Sequence, residues 1–159
     1  RNFILDDRSD LIKNKHQGSV DILHEYFIPD SNVNNFIDGL KSILPNEKID
    51  LLNITIREVA TDIVSMMPYA RENVFGFVML FNQLKTGSHE IEMKKLTQQL
   101  INLCHKHKGV YYLPYRLHAS SDQFHKQYPM AETAFNLKSK YDKAHILKNK
   151  LYDKYHHSQ

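Results

Sequence analysis

The sequence predicts an α+β domain: one antiparallel sheet of four strands, in the chain order β-α-β-β-α-β, with helices on one face and more helices at the C-terminus. Three observations predict it. Residues 49–60, "IDLLNITIREVA", alternate apolar and polar side chains as a half-buried strand does. Apolar residues recur at helical spacing over 33–44 and again over 93–103. Pro114 lies inside a strand-like run, 110–119, and a residue without an amide donor places that run at a sheet edge.

Residues 1–20 form a polar lead-in of mixed charge, ending in "NKHQGS". "DILHEYFIP" (21–29) is rich in β-formers, and Pro29 closes it. Ser31 is placed to cap a helix whose Val33, Phe36, Ile37, Leu40 and Leu44 share one side, with Pro45 as the stop. In the second strand Leu52, Ile54 and Ile56 fall on one face, and Asn53, Thr55 and Arg57 on the other. "ENVFGFVMLF" (72–81) is the third strand. Ser88 then opens a helix with a Met93, Leu96, Leu100 and Leu103 stripe, which Gly109 closes. After the fourth strand, Ser120 and Gln123 have capping-box spacing, and the Lys-rich stretch 138–154 is helical. The whole is the split, ferredoxin-like topology over 21–119, followed by a helical extension over 120–159.

Composition narrows the function. A hydrophobic content of 42% with 25% charged residues suits one globular domain and argues against disorder. The net charge of +3 is too mild for a dedicated nucleic-acid binder. No apolar run reaches the roughly 20 residues that span a bilayer, and a cytoplasmic location is expected. The single Cys104 excludes an internal disulfide and sits beside the helical stripe, as a core thiol does. His105 and His107 are two apart, so their side chains diverge, and no metal site is expected. The few glycines do not cluster, so no dinucleotide-binding loop is present. The chain begins at Arg1 rather than methionine, and is expected to be part of a longer protein.

Phe75-Gly76-Phe77-Val78 matches the centre of the aromatic signature of RNA-recognition domains. Asn73 and Val74, however, stand where that signature wants a cation and a glycine, and Leu80 replaces an aromatic. The first strand lacks the partner motif. A free-standing module binding RNA or a protein partner is therefore the alternative, and no nucleic acid is the expectation.

Three segments carry a resemblance: "LLNITIREV" (51–59), "YYLPYRLHASSDQFHKQYP" (111–129) and "FNLKSKYDKAHILKNKLYDKY" (135–155). Together with "HEYFIP" and "FGFVMLFNQ", they resemble the C-terminal part of FAD-linked oxidases of the vanillyl-alcohol-oxidase type. The nearest members are the alditol and sugar-lactone oxidases and the decaprenylphosphoryl-ribose oxidases. The likeness spans residues 22–155, with one departure at Lys143, where the family usually has proline. It implies the substrate-binding (cap) domain of an FAD-dependent oxidoreductase that oxidises an alcohol on a sugar-like or polyol-like molecule. FAD would be held mainly by an N-terminal domain of the same parent, and the fragment alone would not turn over. The lysines from Lys138 to Lys154 suit a solvated face or a weak contact with a membrane or lipid-linked substrate, and an apolar patch bared by the missing flavin half would favour a homodimer.

The candidate residues come from strand parity and from this resemblance. Asn53, Thr55 and Arg57 share the face that helices leave free, where a flat flavin could lie with substrate between. In the resembling polyol oxidases an acid and an arginine sit two apart on this strand. Here Thr55 replaces the acid and Arg57 remains, able to steady charge on a substrate oxygen. The bland reading of Arg57 is an ion pair with Glu58 or Glu25 at a solvated surface. Tyr115 aligns with a lysine used at the flavin in the decaprenylphosphoryl-ribose relatives. Arg116, for substrate, and His118, as general base, lie on the opposite parity unless Pro114 causes a bulge. Asn149 matches a position whose helix returns to the flavin domain, and is the cofactor-binding candidate.

Overall fold

A computed structural model describes residues 18–156. Its elements are β1 (Ser19–Pro29), α1 (Val33–Ile43), β2 (Asp50–Val59), β3 (Val74–Leu84), α2 (Gly87–Lys106), β4 (Val110–Tyr111), α3 (Ser121–Gln127), α4 (Ala131–Tyr141) and α5 (Lys150–Tyr155). The sheet order is β2-β3-β1-β4 and every pairing is antiparallel. This is the α+β split topology that the sequence predicts, with β4 at an edge and helices following it. The lead-in assigned to 1–20 lies outside the described residues as far as residue 17.

Register decides which residues meet the helices. Tyr26 faces Phe77, which faces Ile56, and His24 faces Met79, which faces Ile54. Tyr26, Phe77, Met79 and Phe81 pack against Phe36 and Leu40 of α1 and against Met93, Leu96, Leu100 and Cys104 of α2. Phe36 meets Phe77 at 5.1 Å between ring centroids. All of these side chains are buried, each contributing roughly 1.5–3 kcal/mol by leaving water. The residues between them, Leu23, Glu25 and Phe27 on β1, point to the opposite, front face.

Local chemistry departs from the sequence expectation at six places, the last of them in the Lys-rich stretch. Ser31 lies in a 3₁₀ turn (Asp30–Asn32), so α1 begins after Asn32 with no side-chain cap. A bulge makes Leu52 the extra residue of β2 and breaks the strict alternation there. Thr86, not Ser88, caps α2, accepting from the His89 amide at 3.3 Å. Lys108, at φ 58°, makes the left-handed turn after α2. Gly109 is needed for room instead: a Cβ there would meet Ile28, the Phe27 carbonyl and Cys104 at 2.5–2.8 Å.

The fifth is β4 itself. Its ladder covers only Val110 and Tyr111, facing Phe27 and Tyr26. Tyr112 still donates its amide to the Glu25 carbonyl at 2.9 Å, and then the chain leaves β1. Pro114 therefore lies beyond the strand rather than within it, and parity no longer orders Tyr115, Arg116 and His118.

The capping box holds: Ser120 Oγ accepts from the Gln123 amide at 3.1 Å, and Gln123 Oε1 from the Ser120 amide at 3.0 Å. Phe124 of α3 stacks on Tyr155 of α5 at 4.2 Å, which joins the C-terminal helices to one another. The Lys-rich stretch is not one helix. Asp142 ends α4, accepting from Lys138 Nζ and from the Ile146 and Leu147 amides at 2.8–3.0 Å. No helix among the described residues is long and apolar enough to cross a membrane.

Candidate functional site

On the front face, three rows of residues run across β2, β3 and β1. They are Asn53–Leu80–Leu23, Thr55–Val78–Glu25 and Arg57–Gly76–Phe27. The sequence expectation that Asn53, Thr55 and Arg57 share the face away from the helices is met. The side chains on the central strand are short. Phe27 is covered, stacked on Tyr69 at 4.3 Å and edge-on to Tyr112 at 5.8 Å. The loop between β2 and β3 thus roofs one end of the face, and leaves the rows of Thr55 and Asn53 open.

Arg57 reaches diagonally over β3 to pair with the Glu25 carboxylate. Gly76, its direct neighbour, has no side chain to obstruct the crossing. The two partners differ sharply in exposure: Glu25 is 2% exposed and Arg57 58%. One end of the guanidinium is therefore spent on a buried acid while the rest faces solvent, with five donors to share. Asn53 donates to Thr55 at 3.2 Å, so the exposed row is ordered too.

Tyr115 arrives from the segment after β4 and stands edge-on to Tyr112, at 5.6 Å between ring centroids. Burial, then the Glu25 and Tyr112 charges, raise its phenol above the ordinary range, while Arg57 pulls the other way. Arg57 and Glu25 are thus a pair, and Tyr115 is near enough to feel both charges. Glu25 entered the sequence reading only as an ion-pair partner for Arg57 at a solvated surface, whereas it is buried. The available signal was a charged residue between His24 and Tyr26 in a run of β-formers, which a strand buried on both sides tolerates only when paired.

Tyr115 also borders an open groove of about 920 Å³ beside the β1 edge. Arg116, His118 and Asn149 line the same groove, with Leu23 and Leu113 among its apolar walls. All four sequence candidates from the C-terminal half therefore meet there. Asn149 uses its oxygen to cap α5, accepting from the Tyr152 amide at 2.8 Å.

Arg116 and His118 are committed inward. His118 Nε2 lies 2.8 Å from Glu90 Oε1 and its Nδ1 lies 3.0 Å from Thr97 Oγ1. Thr97 Oγ1 lies 3.4 Å from His24 Nε2, and His24 Nδ1 lies 3.2 Å from the Tyr26 hydroxyl. With both rings neutral, Tyr26 donates to His24, His24 to Thr97 and His118 to Glu90, while the single Thr97 proton faces both His118 Nδ1 and a backbone carbonyl. The Thr97 hydroxyl is shared with the Met93 carbonyl at 2.7 Å. Arg116 and Gln83 both donate to the other Glu90 oxygen.

Electrostatics agree with that assignment. Burial, with the neighbouring His118 and Arg116 charges, pushes His24 down to about 3. Burial also lowers His118, against the pull of Glu90. Glu90 is held below the usual carboxyl range: partial burial opposes this, but the Gln83 and His118 hydrogen bonds and the Arg116 charge outweigh it. With both ring nitrogens engaged, His118 presents neither to the groove. Glu90 and Thr97, which complete this network, carry no sequence signal beyond their place on a helix.

No protein-family model and no curated protein sequence matches this chain.

Proposed function

We propose that the chain is the substrate-binding cap of an FAD-dependent oxidoreductase that oxidises an alcohol group on a sugar-like or polyol-like substrate, with FAD bound mainly by another domain of the same parent. The observation that carries this reading is Arg57 standing exposed on the bare sheet face with a buried acid beside it. The resembling polyol oxidases place an acid and an arginine on one strand. Here Thr55 takes the acid's position, and Glu25 brings a carboxylate to the same row from β1.

The face also suits a planar cofactor. Thr55, Val78 and Leu80 are short, lie in adjacent rows and form a flat shelf next to the guanidinium. The flavin would supply hydride acceptance; the chain's own residues would orient the hydroxyl and steady charge on its oxygen. A second exposed patch fits a parent domain packed against the C-terminal extension. Tyr141, Ile146 and Leu147 are 80%, 77% and 73% exposed, on a turn that Asp142 holds rigid. Apolar side chains of this size gathered on one turn are a covering surface.

The RNA-binding alternative is disfavoured by the same register. Phe77 and Phe81 are buried against the helices, and the front of β3 is Val74, Gly76, Val78 and Leu80. That strand offers no aromatic platform for bases.

The test is co-production of the flavin-binding part of the parent with Arg57→Ala. Flavin content is expected to be retained while turnover falls by about tenfold or more, some 1.4 kcal/mol of barrier. Turnover equal to the parent's would remove Arg57 from the reaction, and a parent without flavin would remove the reading.

A further inference from the structure

Arg57 alone on an exposed sheet face would draw anions to it, since a guanidinium keeps its charge at any ordinary pH. That charge is met by Glu25. We propose that Glu25 determines the charge of the substrate: paired with Arg57, it keeps the face for neutral molecules rich in hydroxyls and turns away those that carry a carboxylate or phosphate. The proposal rests on the oxidoreductase reading above and narrows its substrate.

Three placements support it. Glu25 is bonded to the guanidinium and is 2% exposed, so its charge is fixed in place and little screened by water. An incoming anion has to compete with it for the same cation. The open rows of Thr55 and Asn53 lie between this pair and a further row, Asp50–Asn82–Asp21. The two acids of that row are exposed, and the row lies one step of about 7 Å along β3 from Leu80. Among the described residues of these four rows, Arg57 is the one cation against three carboxylates. Lastly, the groove beside the face is balanced: Arg116 is bonded to Glu90, and Lys150 shares the lining with Asp21.

Packing does not call for an acid at this position. Leu23 and Phe27, its neighbours on the same face of β1, are apolar, and apolar replacement of a buried ion pair is often neutral for stability. What the pair leaves to Arg57 is hydrogen-bond donation from its exposed side. Such donors hold a hydroxyl oxygen and strengthen as charge grows on it during oxidation. A bare cation would instead bind a substrate anion as tightly before the reaction as during it, which adds nothing to the rate.

The experiment compares each alditol that the flavin-loaded parent oxidises with the aldonate of the same length, gluconate for sorbitol, since the two differ only by a terminal CH₂OH against a carboxylate. In the parent, kcat/KM is expected to favour the alditol by about 100-fold. Glu25→Gln keeps the size and an acceptor oxygen and removes the charge; it is expected to shrink that ratio by about tenfold or more. In the present chain, gluconate is expected to move the Arg57 Nε–H NMR signal in Glu25→Gln at a concentration at least about tenfold lower than without the substitution, and only at low salt. The signal is identified by its loss in Arg57→Lys. A ratio in Glu25→Gln within about threefold of the parent's, a parent that takes gluconate as readily as sorbitol, or an Arg57 signal that responds alike in both chains would overturn the proposal and leave the oxidoreductase reading in place. A parent that holds no flavin, or oxidises no alditol, would overturn both. Should Glu25→Gln fail to fold, salt decides in the parent: the ratio is expected to shrink by at least about threefold between about 20 and about 300 mM NaCl, and a constant ratio would overturn the proposal.

Discussion

Two polar clusters flank the same strand, and they are built to opposite ends. Behind β1, Tyr26, His24, Thr97, His118 and Glu90 are hydrogen-bonded in one line, with the Met93 carbonyl sharing the Thr97 hydroxyl. In front of β1, Glu25 is buried but its partner Arg57 is more than half exposed, and Tyr115 borders a groove. The residue types are those from which active sites are made in both places. What separates them is satisfaction. A network with every donor and acceptor engaged ties β1, α2 and the segment after β4 together and offers a ligand little, whereas a half-used guanidinium still has donors to give.

This contrast can be broken most forcefully from behind. Thr97→Val removes the hydroxyl that bridges both imidazoles and leaves buried nitrogens unpaired, at an expected cost of about 2–4 kcal/mol. In a chain of this size that is roughly a 5–15 °C drop in Tm, readable by calorimetry. A drop under about 2 °C would mean that the network holds nothing together.

Acid probes the same cluster more gently. His24 and His118 both bind protons less readily folded than unfolded, so their contribution to stability is full above the ordinary histidine value of 6.5 and is lost as pH falls below it. The unfolding free energy is expected to decline by on the order of 2 kcal/mol between pH 7 and pH 4, and the decline to shrink in His24→Gln. Urea titrations at a series of pH values measure it.

Removing the cap of the C-terminal helices tests a region outside both clusters. Ser120→Ala breaks the reciprocal bonds with Gln123 and is expected to cost about 1 kcal/mol by urea denaturation. The smallest effect is expected in front: Tyr115→Phe should change stability by less than about 1 kcal/mol, since it removes one oxygen from a side chain that borders the open groove.

How much of this the sequence carried depends on how local the cause is. The period-two pattern of 49–60 gave the front row of Asn53, Thr55 and Arg57, because side-chain direction along a strand is fixed by parity alone. The Ser120 box was equally legible, since its partners are three residues apart. The end of β4 was not. A run of Tyr, Leu and Tyr around Pro114 has strand composition, but pairing needs β1 alongside, and the chain turns away after Tyr112. Glu25 and Arg57 are 32 residues apart and on strands separated by a third, so only the assembled register brings them together. The inward commitment of His118 depends likewise on α2, 21 residues earlier at Thr97.

The difference between an open and a closed cluster is measured most directly by anaerobic bleaching of the flavin in the parent on addition of a polyol. Arg57→Ala is expected to slow the bleaching by about tenfold or more at unchanged flavin content, while the folded fraction of Thr97→Val bleaches at the parent rate. Bleaching that is untouched by Arg57→Ala and crippled by Thr97→Val would place the chemistry on the other side of the strand and contradict the account.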